Sequence, residues 1–135
     1  MQKFLMAYAA VFVPFVALDA VWLRLMGAAF YKPTLGDILR ARPNLWPAAA
    51  FYMLYPIGLV TFAVWPALHE GELLRALALG LLFGLFTYAT YDLTNHATLR
   101  NWTTTLAVVD MAWGSVVAAS SAAIGFMVVR RILGL

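Results

Sequence analysis

Apolar residues along this chain run in four continuous blocks, approximately Phe4 to Tyr31, Trp46 to Leu68, Leu73 to Thr94 and Leu106 to Val129. None alternates with the period of two that a β-barrel strand requires. An α-helix of about 20 apolar residues crosses a hydrocarbon core, so the pattern predicts four transmembrane helices. The expected fold is an all-α polytopic membrane protein, one domain, with its helices in an up-down bundle. Lys3 ahead of the first block imitates the start of a signal peptide. No small-residue cleavage pair follows, however, and the block outlasts a normal signal core, so it reads as a retained helix. The connection from Lys32 to Leu45 carries Pro33, Gly36 and Pro43 and reads as an ordered loop on the membrane surface, with Lys32, Arg40 and Arg42 near phosphates. A tight turn, His69-Glu-Gly-Glu72, joins the second and third helices.

The exceptions to the apolar pattern are concentrated. At 100° per residue Tyr88, Tyr91, Asp92 and Asn95 share one face of the third helix, with His96 at its edge. Asp19 and Trp22 share a face of the first helix, and Asp110 and Trp113 a face of the fourth. In the second helix Tyr52 and Tyr55 are paired just before Pro56, which removes a helical hydrogen bond. Hairpin topology puts the chain ends and the His69 turn on one side of the membrane and the other two connections opposite. All these polar groups then fall in the half of the bundle nearer the Lys32–Leu45 connection, with Asp19 close to the midplane. Two stripes of small residues, Gly80-x-x-x-Gly84 and Gly114, Ala118 and Ala122, are close-packing signals.

Composition agrees: 64% of the residues are hydrophobic and 11% charged, against roughly a quarter charged in soluble proteins. The net charge of +3 is spread over helix ends, which suits anionic lipid headgroups rather than nucleic acid. Lys3, Arg75, Arg130 and Arg131 fall on one side and Lys32, Arg40, Arg42 and Arg100 on the other, so basic residues do not orient the bundle decisively. With no cysteine there is no thiolate chemistry. No motif calls for a cofactor, and no ligand spacing among Asp19, Asp92, Asp110 and His96 calls for a metal.

An ionised carboxylate inside a membrane costs about 2.5–3.5 kcal/mol or more. Three uses compete: proton handling, ligand chemistry, and hydrogen-bonded helix glue. The leading expectation is a pocket that binds or modifies a lipid-like amphiphilic small molecule. Asp19 and Asp110 would handle protons there with Asp92, while Tyr52, Tyr55, Tyr88, Tyr91, Asn95, His96, Trp22 and Trp113 would bind the ligand. The alternatives are a proton-coupled carrier, working as a homodimer, and a structural partner subunit of a membrane enzyme.

Three stretches carry a resemblance: Leu18-Asp-Ala-Val-Trp-Leu23, Tyr88-Ala-Thr-Tyr-Asp-Leu-Thr-Asn95 with Ala97-Thr-Leu99, and Val109-Asp-Met-Ala-Trp-Gly114. Together they resemble a bacterial family of small inner-membrane proteins known as domain of unknown function 2177. The resemblance implies a four-helix, multi-pass protein of the bacterial inner membrane, with Asp19, Asp92, Asn95 and Asp110 as its marked positions. It also implies gene neighbourhoods shared with cyclopropane-type fatty-acid methyltransferases, which points towards lipid-related work.

Overall fold

The computed structural model describes all 135 residues. Four helices long and apolar enough to cross a membrane account for nearly the whole chain: α1 (Gln2–Ile38), α2 (Leu45–Glu70), α3 (Leu73–Thr98) and α4 (Thr104–Leu133). There are no strands. Each helix outruns its apolar block at one end or both, because a helix continues through the headgroup layer, where polar side chains are solvated. Asn44 accepts from the Trp46 N–H at 3.2 Å to start α2, and Thr103 accepts from the Leu106 N–H at 3.1 Å to start α4. Thr103→Ala should therefore lower stability by about 1 kcal/mol, read as a shift in the unfolding midpoint in mixed micelles. Thr105→Ala, two residues beyond the cap and exposed, serves as the comparison and should not lower the midpoint.

The close-packing stripes pair with each other. A Cβ on Gly80 would lie 2.9 Å from the Ala122 Cβ, and one on Gly84 only 2.2 Å from the Gly114 carbonyl oxygen. Their missing side chains let α3 and α4 approach almost backbone to backbone. Gly125 admits Val11 of α1 in the same way. Around these contacts the half of the bundle nearer the chain ends is dry, filled by Ala7, Val11, Ala63, Val64, Ala67, Ala76, Ala122, Phe126 and Val129.

The other half is looser. The N-terminal part of α2, Leu45–Leu59, packs mainly on α1 and only sparingly, whereas the π-helical turn Val60–Val64 packs against α3, α4 and α1. Pro56 and that π turn stand at the change, and both are recognised causes of a redirected helix. α2 is thus anchored at one end and stands off at the other, leaving room between it and the rest.

The connections confirm the sidedness expected from the hairpins. Arg130 donates to the Gly71 carbonyl at 2.7 Å, tying the end of α4 to the α2–α3 turn. Opposite, the Asn101 amide donates to the Leu35 carbonyl at 2.9 Å. The stretch after Tyr31 departs from the expected surface loop. A π turn at Gly27–Tyr31 is followed by a further helical turn, Lys32–Leu35, and a 3-10 turn, Gly36–Ile38. Leu35 is buried against Trp102, Leu106 and Ala107, because those side chains offer it a drier, better-packed site than the interface. Gly36, at φ +58°, then turns the chain back over the bundle.

Candidate functional site

A cavity of about 840 Å³ opens in the loose half, within the range of about 300–1,000 Å³ typical of small-molecule sites. Leu23 of α1 and Phe51 of α2 line it and are also about half exposed on the outer face of the spans, so the cavity reaches the surface between α1 and α2. Gly27, Leu35, Leu39 and Thr87 add to its walls.

Its inner wall is a reciprocal arrangement of α1 and α4. The Trp22 and Trp113 indoles stack nearly parallel, 4.5 Å between centroids and 3° between planes. Trp113 donates through Nε1 to Asp19 Oδ1 at 3.0 Å, and Tyr52 donates its hydroxyl to Asp19 Oδ2. Trp22 donates to the Tyr31 hydroxyl at 2.9 Å, and Tyr31 donates in turn to Asp110 Oδ1. The Asp-x-x-Trp pattern shared by α1 and α4 is thereby explained. Each helix contributes a carboxylate that is met, directly or through Tyr31, by the tryptophan of the other.

The three carboxyls differ in what satisfies them. Asp19 has a donor on each oxygen, which is what a buried carboxylate needs to remain in place. Asp110 lines the cavity with Tyr31 on one oxygen. Asp92 is fully buried behind Asp110, outside the cavity, and neither of its oxygens has a hydrogen-bond partner. Its neighbours are the Asp110 carboxyl and the Trp102 indole, whose N–H is itself buried without an acceptor.

Among the tyrosines, Tyr55 exchanges a hydrogen bond with Thr87 at 2.9 Å and stacks on Phe15 at 4.8 Å, forming the floor. Tyr88 lies over Gly114, where a Cβ would meet its ring at 2.1 Å, and its hydroxyl has no protein partner in the cavity. Tyr91 lines the cavity edge-on to Trp102. The structure therefore brings Asp19, Asp110, Trp22, Trp113, Tyr52, Tyr55, Tyr88 and Tyr91 to one cavity.

Asp92, Asn95 and His96 are not part of its lining. Asn95 serves the end of α3, where its carbonyl accepts from the Leu99 N–H at 2.8 Å. His96 does not relay to Asp92: Nδ1 meets the Trp102 carbonyl at 2.6 Å and Nε2 the Thr104 hydroxyl at 3.2 Å, so the ring closes the α3–α4 connection. A helical spacing of four put Asp92 and His96 on a common side, but the folded-back connection supplies His96 with nearer partners. No three acidic or histidine side chains come together as a metal-binding group.

Tyr31, Lys32 and Arg40 join the cavity unannounced by helix periodicity. Tyr31 lies nine residues beyond Trp22, half a turn out of phase in a regular α-helix. The π turn resets that phase, a device frequent at functional sites. Helix rise and hairpin topology place Tyr31 in the same half of the bundle as the other cavity tyrosines, but not its side chain on the Trp22 face.

No protein of established description and no solved structure is detectably similar to this chain. The family of predicted membrane proteins designated DUF2177 matches residues 4–127, nearly the full length, and the chain belongs to that family.

Proposed function

We propose that this protein binds an amphiphilic, lipid-like small molecule in the cavity between α1 and α2, in the bacterial inner membrane. The observation that carries the reading is a single cavity joining apolar walls open to the outer face of the spans with an inner wall of pre-positioned carboxylates. An amphiphile entering sideways keeps its tail in an apolar environment while a polar group meets Asp110 and Tyr88. Asp19, held by Tyr52 and Trp113, positions that wall. Asp110 and the free Tyr88 hydroxyl are the groups placed to accept from and donate to the ligand.

Gly27 provides the test. It lines the cavity, and a Cβ there would meet nothing within 4 Å. Gly27→Phe should fill the space without disturbing the fold. Delipidated protein in detergent is titrated with a single-chain phosphate-headed amphiphile and followed by indole fluorescence from the Trp22–Trp113 stack. Wild type should show a saturable change, and Gly27→Phe only the linear response of micelle partitioning at an unchanged unfolding midpoint. Linear responses from both proteins would sink the proposal.

A further inference from the structure

The cavity has two polar ends of opposite character. At the level of the α1–α2 connection it is lined by Lys32 and Arg40, with Leu39, Ala41 and Pro43 between and beside them. Both cations are exposed, and neither is paired with a carboxylate. The one ion pair of the chain, Arg75–Glu70 at 2.8 Å, belongs to the opposite side of the bundle. Leu35, Leu23 and Phe51 give the cavity an apolar wall, and its carboxyls are Asp110, held by Tyr31 next to Lys32, and Asp19, held by Tyr52 and Trp113.

Lysine and arginine offer donors only, and carboxylates mainly accept. A molecule in this cavity therefore meets positive charge at the headgroup level and accepting groups further in, at Asp110 and then Asp19. We infer that the occupant is a membrane lipid with an anionic headgroup, a phosphate or carboxylate, seated between Lys32 and Arg40, and that its chain runs inward past Leu23 and Phe51 so that a neutral polar group carried on it meets Asp110 and Tyr88. The inference rests on the amphiphile reading above and adds the head's charge and the ligand's direction. The reverse orientation would bring the anion beside Asp19 and Asp110, where like charges repel in a poorly screened environment. Arginine and lysine near a membrane surface attract anionic heads in any case. Here two of them stand at the mouth of a cavity, where the attraction becomes selective for what enters.

The experiment uses amphiphiles of one chain length bearing phosphate, phosphocholine or glycerol heads, titrated into the protein in nanodiscs of zwitterionic lipid. The phosphate-headed amphiphile should bind tightest. Lys32→Gln and Arg40→Gln should each weaken it roughly fivefold and leave the glycerol-headed compound unchanged. Arg42→Gln, at an exposed base of the same connection that does not line the cavity, should change none of them. Circular dichroism of each variant verifies the fold. Equal affinities for the three heads, or equal damage from Arg42→Gln and Arg40→Gln, would overturn the inference while the amphiphile reading stands. Full competition by inorganic phosphate at matching concentration would assign the mouth to a free anion and overturn it too. Absence of saturable binding for all three heads would bring down the amphiphile reading and this inference together.

Discussion

Gly84→Ala should cost this bundle about 1–3 kcal/mol, the usual penalty for overpacking a closely fitted contact. The added Cβ would lie 2.2 Å from the Gly114 carbonyl oxygen and 2.7 Å from the Ala118 Cβ. A backbone carbonyl cannot swing aside as a long side chain can, so α3 and α4 must separate. The loss is measured as a lower unfolding midpoint in mixed micelles. Gly27→Ala is the matched control: its Cβ meets nothing within 4 Å and its backbone is helical at φ −56°. Alanine there should be neutral or stabilising, by up to about 1 kcal/mol. Equal midpoints for the two variants would show that close approach of α3 and α4 is not what holds the bundle. The effect should extend to the cavity, since the Tyr88 ring rests on Gly114. Separating the helices removes the support that aims its hydroxyl.

Asp19→Asn and Asp92→Asn should change stability in opposite directions. Asp19 accepts from Tyr52 on one oxygen and from the Trp113 indole on the other. An asparagine retains one acceptor oxygen and turns an NH₂ group towards the second donor, leaving a buried group unpaired at a cost of about 1–3 kcal/mol. Asp92 has no donor on either oxygen although it is fully buried. Asparagine there replaces a buried, unpartnered ionisable group with a neutral one of the same shape. It adds a donor towards Asp110 while leaving an oxygen on the side of the Trp102 N–H, so stability should rise by about 1 kcal/mol. The measurement is the same unfolding midpoint. Comparable destabilisation by both substitutions would make Asp92 part of the helix glue. The predicted split would mark Asp92 as a group the fold carries without needing, as is usual where a local rule is broken at a working site.

Much of this was legible in the chain itself. Four apolar blocks predict four helices because nothing but a helix satisfies the backbone of so long an apolar segment in hydrocarbon. The two small-residue stripes announced a close contact, and the structure shows them to be partners. The convergence of Asp19, Asp110 and the tyrosines on one half of the bundle also followed from helix rise and hairpin topology alone. Less legible were positions whose role depends on departures from the regular helix. Tyr31 reaches Trp22 and Asp110 only because a π turn intervenes. His96, assigned with Asp92 by periodicity, is taken up by Trp102 and Thr104 across the folded-back connection.

By itself, then, the sequence determined the class, the number of spans and the half of the bundle that holds the polar groups. Those properties depend on local hydrophobicity and on a fixed rise per residue. Only the tertiary structure decided which carboxyl is satisfied, which faces the cavity and which is sealed behind it. It alone converted Lys32 and Arg40 from surface bases into the lining of a cavity mouth. Such distinctions depend on angstrom-scale meetings between helices far apart in the chain, brought about by missing Cβ atoms at Gly84 and Gly114 and by the redirection of α2 near Pro56. Periodicity within one helix carries no information about where another helix places its side chains.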